Sequence, residues 1–154
     1  MLETPHVVVG AAIAVKIGNP WLAIPLAFGS HFLLEKVPHW NPHLNTEKKK
    51  FGIPTKQSTL IVVGDVIVSL VLGGFITSKA LPDTAMAMTI LGSGFAAVLP
   101  DLIEAPYFFL NMKSKFITEK WIPFQKSLQN DTSPLPGLAT QVVTVIAALL
   151  WIFN

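Results

Sequence analysis

Imidazole and carboxylate groups crowd into one stretch, Ser30-His31-Phe32-Leu33-Leu34-Glu35-Lys36-Val37-Pro38-His39. These side chains hold divalent cations or move protons near neutral pH. His31 and Glu35 lie four apart, so a helix sets them on one face. Pro38 disfavours helical geometry at Val37, so the helix is expected to end there and a turn to carry His39. A plain His–Glu contact at a helix end is the structural alternative. Four more ionisable residues stand beside apolar runs: His6, Asp65, Asp101 and Glu104. A bare carboxylate such as Asp65 inside an apolar span costs several kcal/mol, about 2.5–3.5 on insertion scales, so it needs a partner. There is no cysteine, which excludes disulfides and thiolate sites. Nitrogen and oxygen donors suit zinc, with manganese or iron(II) as alternatives. The spacing His-x3-Glu-x3-His is not that of the zinc-protease helix, whose glutamate directly follows its first histidine.

The elements that must carry these residues are apolar. Hydrophobic residues make up 51% of the 154-residue chain and charged residues 13%, about half the ~25% usual in soluble domains. An integral membrane protein is expected, all-α, as a polytopic bundle of about five helices in one domain spanning 1–154. The expected helices are 4–17, 20–37, 57–78, 84–110 and 137–153, with polar loops at 38–56 and 111–135. Thr4 is placed as the cap of the first helix with Pro5 at its first position, and Thr84 as the cap of the fourth. That fourth helix is expected to bend or break at Pro100 and again at Pro106. The segment 111–133 mixes Lys113, Lys115, Lys120 and Lys126 with Phe116, Trp121 and Phe124, a composition suited to the membrane interface. Residues 5–10 match 59–64 in pattern, hinting at a two-helix pseudo-repeat followed by a C-terminal helix.

All eleven basic residues are lysine. Arginine forks for phosphate or base recognition are therefore absent, and no nucleic-acid module or Gly-rich phosphate loop is present. Lys36, Lys48, Lys49, Lys50 and Lys56 follow the second helix, and four more follow the fourth. Only Lys16 and Lys79 fall on the other side. The positive-inside rule then places the N-terminus and both basic loops in the cytoplasm and the C-terminus outside. The N-terminus has no basic n-region, so no cleaved signal peptide is expected. With this topology His6, His31, Glu35, His39, Asp65, Asp101 and Glu104 all approach one membrane level. Asp65 lies ~12 Å into its helix by helical rise.

Thr4-Pro5-His6 before an apolar helix, Ser30-His31-x3-Glu35-x2-Pro38-His39-Trp40, and Leu99-Pro100-Asp101 together resemble the YdjM-like family of small bacterial inner-membrane metal-dependent hydrolases. The resemblance covers roughly residues 1–110. Glu35 stands where the family more often has aspartate, and the family's His-Arg-Gly-x-Thr-His-Ser element is absent. The resemblance implies metal-assisted hydrolysis of an ester or phosphoester, with His6, His31, Glu35, His39 and Asp101 as the matching positions. The expected site has His31, His39 and Asp101 on a divalent metal, His6 or Asp65 completing the shell, and Glu35 or Glu104 as ligand or general base. The expected partners are membrane lipids, with a lipid-linked or phosphoester substrate held at the cytoplasmic leaflet by the basic loops. The rival expectation is a non-enzymatic membrane protein, a transporter-like or assembly protein in which the same cluster carries a proton or ion.

Overall fold

The computed structural model describes all 154 residues and is all-helical. Seven α-helices follow in order: α1 (Glu3–Ile17), α2 (Pro20–Leu34), α3 (Leu44–Phe51), α4 (Lys56–Lys79), α5 (Thr84–Phe109), α6 (Ile122–Leu128) and α7 (Pro134–Phe153). A wide π-type turn, Ile117–Trp121, leads into α6. Helices α4, α5 and α7 are long and apolar enough to cross a membrane. Their apolar side chains point outward: Leu60, Leu70 and Val71 of α4 and Val143 of α7 are all exposed. In water such a surface would be an extended apolar patch; against acyl chains it is solvated.

Helix α1 is the axis, and α2, α4, α5 and α7 all pack on it. It is only 15 residues long, ~22 Å by helical rise, less than the ~30 Å of a bilayer core. Its neighbours bury more than half of its residues. Its contact with α5 is close. A Cβ on Gly10 would sit 2.7 Å from the Ser93 carbonyl oxygen and 2.9 Å from the Ala97 Cβ. Only glycine allows this approach, which is how helices pack tightly where lipid removes the hydrophobic drive. Below that crossing, Val8, Ala11, Ala12, Ala14, Ile76, Ile90 and Ala148 form the core.

Several local expectations change. Thr4 does not cap α1; it lies inside the helix, and the capping oxygens come from Asp65 on α4. Helix α2 ends at Leu34, three residues before the expected 37, and Glu35 begins the turn. Helix α5 runs unbroken through Pro100 and Pro106, and its cap is Asp83, whose carboxylate accepts from the Met86 amide at 3.0 Å. The segment 111–133 is not plain loop, since it contains the π-type turn and α6.

The expected loop 38–56 also contains α3, which acts as a bracket. Its Lys48 ammonium is buried and donates to Asn111 Oδ1 at 3.0 Å and to the Phe108 carbonyl at 3.4 Å, at the C-terminus of α5. A cation there complements the helix dipole. The adjacent Glu47 serves the start of α4, accepting from the Thr55 amide and the Ser58 hydroxyl, both at 2.7 Å. Burial pushes the Glu47 carboxyl up, but the bonds from Ser58 and Thr55 outweigh it and hold the group below its usual range. A depressed folded pKa means that the contribution is full above the unfolded value of about 4.3 and is lost as pH falls through the lower folded value. Amide-exchange protection of Thr55 is therefore expected to fall with acidification in that window. In Glu47→Gln it should be low throughout and insensitive to pH there.

Candidate metal centre

The N-terminal turn of α1 is where the other helices meet. The Leu2 amide donates to Gln141 Oε1 of α7 at 2.8 Å, and the Glu3 amide donates to Asp65 Oδ2 of α4. His6, one turn further on, projects between α2 and α5. Its ring stacks on that of His31, with centroids 4.2 Å apart and planes at 22°. His31 reaches across to α5, where its Nδ1–H donates to the Ala97 carbonyl at 2.9 Å. That bond leaves Nε2 with its lone pair, 3.8 Å from Asp101 Oδ1. His6, His31 and Asp101 each offer a ligand atom, all within 4.8 Å of one another, and this group can hold a metal ion.

Glu35 is buried and sits between two imidazoles: His6 Nε2 lies 3.3 Å from its Oε1, and His39 Nε2 lies 3.5 Å from its Oε2. The Met1 amino nitrogen also contacts Oε1. A carboxylate that takes one imidazole N–H fixes that ring's tautomer and raises the basicity of the other nitrogen, the usual support for a metal-bound histidine. His6 Nδ1 is buried and has no hydrogen-bond partner, as expected of a nitrogen aimed at a cation. His39 is oriented differently. Its Nδ1–H donates to the Val37 carbonyl at 2.8 Å, so Nε2 presents a lone pair to an oxygen of Glu35. Two acceptors face each other, a repulsion that a proton on His39 relieves. Burial pulls the His39 pKa down, while the neighbouring Glu35 pulls it up.

His39 is held by backbone. Its N–H donates to Asn130 O at 3.1 Å and its carbonyl accepts from Thr132 N at 2.9 Å, forming a short parallel bridge beside Asp131. Gly137 at the start of α7 lets this strand pass, because a Cβ there would lie 2.5 Å from the Trp40 nitrogen. The turn expected after Pro38 thus exists, but it places His39 beside Glu35 and outside the His6–His31–Asp101 group. His6, not His39, completes that group.

Asp65 is also not part of it. Thr4 Oγ1 donates to its Oδ1 at 2.6 Å, and the Glu3 and Thr4 amides point at its other oxygen. These are the orphan donors of a helix N-terminus, so the half-buried carboxylate of α4 is partnered by the start of α1. Glu104, one turn beyond Asp101 on α5, lines the adjoining cavity, and its Oε1 has no partner.

Gln125 of α6 is a residue of the site that the sequence does not single out. It is 4% exposed. Its amide nitrogen lies 3.2 Å from Asp101 Oδ1 and 3.4 Å from His31 Nε2. Trp121, at the end of the π-type turn, donates from its indole to the Pro100 carbonyl at 3.0 Å and so seats α6 on α5. A π-type turn is a frequent companion of functional sites; no pattern in the sequence marks this one.

Comparison of the chain with protein-family models, with curated proteins and with solved structures finds no match.

Proposed function

We propose that this is a polytopic membrane protein of five principal helices (α1, α2, α4, α5 and α7) and a metal-dependent hydrolase of the YdjM-like kind, acting on an ester or phosphoester at the cytoplasmic leaflet. The observation that carries the reading is the donor arrangement at His6, His31 and Asp101, with Glu35 and the Ala97 carbonyl fixing the rings from behind. Ordinary helix-end contacts do not call for two buried, stacked imidazoles with lone pairs beside a carboxylate. The orientation rests on the lysines. Nine of the eleven sit at or after the ends of α2 and α5, the end of the molecule that carries the site, which the positive-inside rule assigns to the cytoplasm.

His6, His31 and Asp101 would hold the ion, and zinc fits the donor types best. A bound divalent ion polarises the ester or phosphoryl oxygen and acidifies water toward neutral pH. The remaining work falls to the chain. Glu104 accepts the proton of the attacking water and returns it to the departing alkoxide. Gln125 donates to Asp101 and holds that carboxylate in register. Glu35 keeps His6 in one tautomer.

Purified protein in detergent is expected to hydrolyse a simple chromogenic ester or phosphodiester, to lose the activity with chelator and to regain it with zinc. Glu104→Gln is expected to retain metal and lose ~10²–10⁴-fold in rate, the usual contribution of a general base. Metal-free protein with no chelator-sensitive turnover would overturn the reading in favour of a non-enzymatic ion- or proton-handling role.

A further inference from the structure

Beside the metal centre is a cavity of about 400 Å³, within the ~300–1,000 Å³ range of small-molecule sites. Its two ends differ in chemistry. At the inner end Glu3, Asp101, Glu104 and Gln125 line it. Three buried oxygens there, Glu3 Oε2, Glu104 Oε1 and Gln125 Oε1, have no hydrogen-bond partner. Unpaired buried acceptor oxygens are rare and ask for a donor, which a headgroup hydroxyl or ammonium beside the linkage of a lipid supplies. The outer wall is apolar, with Val63, Val66 and Ile67 from α4 and Leu102 and Phe109 from α5.

Those five wall residues line the cavity and are also each more than a third exposed at the surface of the molecule. The cavity therefore opens sideways, through the seam between α4 and α5. Both helices have spanning length and composition, so the seam faces acyl chains. The bracket helix α3 also borders the cavity, with Leu44 and Asn45 lining it and Lys48 tied to the C-terminus of α5. A small water-soluble ester makes no use of an apolar wall that opens into a bilayer.

We infer that this cavity is a lateral groove for a membrane lipid. The lipid's ester or phosphoester linkage lies at Asp101, Glu104 and Gln125, and the upper part of one acyl chain lies against α4 and α5, with the rest in the bilayer. The inference names the substrate class of the proposed hydrolase and rests on that reading for the chemistry, though not for the occupancy.

The test is photolabelling of the full chain in phosphatidylcholine–phosphatidylglycerol nanodiscs doped with a lipid that carries a diazirine in its acyl chain, with peptides mapped by mass spectrometry. Label is expected on residues 62–67 of α4 and 102–109 of α5 at several times the yield on Val142 and Val143 of α7, which are more exposed than the groove residues. Ala105→Trp, which fills the groove, is expected to cut the groove label severalfold and leave the α7 label unchanged. Val66→Trp serves the same purpose should the first variant fail to fold. Label in proportion to exposure, or groove label indifferent to both fillings, overturns the inference. Metal content and chelator-sensitive turnover of the same preparation separate the two readings. Groove label without metal removes the hydrolase and keeps the lipid site; metal without groove label does the reverse.

Discussion

Asp101→Ala is expected to weaken divalent-metal binding by more than the ~10–100-fold that loss of an outer-shell partner costs, because it deletes one of three converging donors. The carboxylate is reached by His31 Nε2 at 3.8 Å and Gln125 Nε2 at 3.2 Å. Its removal leaves two imidazoles that cannot hold the ion in a closed geometry. The side chain is 25% exposed, so the fold should survive. Asp65→Asn is the instructive contrast. In sequence it is the more conspicuous intramembrane acid, yet its oxygens serve the first turn of α1. Its replacement should loosen the start of α1 and leave metal affinity within a few-fold. Competition with a chromogenic chelator reads both variants, and equal loss in the two would contradict the assignment.

Gly10→Val is expected to be the most damaging change outside the site. The new side chain would meet the Ser93 carbonyl and Ala97 at distances that real Cβ atoms do not show. Overpacking typically costs about 1–3 kcal/mol, and here the obstacle is backbone, which cannot swing aside. The strain also falls on the centre. His6 lies one turn before Gly10, and Ala97, which Gly10 touches, is the residue whose carbonyl orients His31. Thermal stability in detergent and metal affinity should therefore fall together. Gly74→Val supplies the control, since a Cβ at Gly74 meets nothing within 4 Å. A Gly10→Val protein as stable as Gly74→Val would mean that the α1–α5 contact is looser than described.

The helices were legible because apolar runs and Gly or Pro punctuation mark them. Their ends were less so. Asp83 rather than Thr84 caps α5, and α1 is capped from another helix altogether, a long-range contact that local pattern does not encode. Helix α3 reads in sequence as a charged loop. It becomes a helix because Glu47 and Lys48, adjacent in the chain, find the start of α4 and the end of α5. Pro100 and Pro106 do not break α5, since packing against α1 and α2 sustains a helix across an interrupted ladder. Of the site, His31 and Asp101 were readable from residue type and topology. The choice of His6 over His39 was not, because it depends on which imidazole faces Glu35 with a proton and which with a lone pair. Gln125 was invisible for a related reason: its role comes from the seating of α6 by Trp121.

The central claim is that His6, His31 and Asp101 together hold a divalent ion. X-ray absorption at the metal edge, on purified protein loaded with one equivalent of zinc, tests it most directly. The account predicts a nitrogen–oxygen shell at ~2.0–2.2 Å with the outer-shell scattering of two imidazoles, reduced to one in His31→Ala and unchanged in His39→Ala. A hydrated ion without imidazole scattering, or an imidazole lost in His39→Ala and not in His31→Ala, would contradict it.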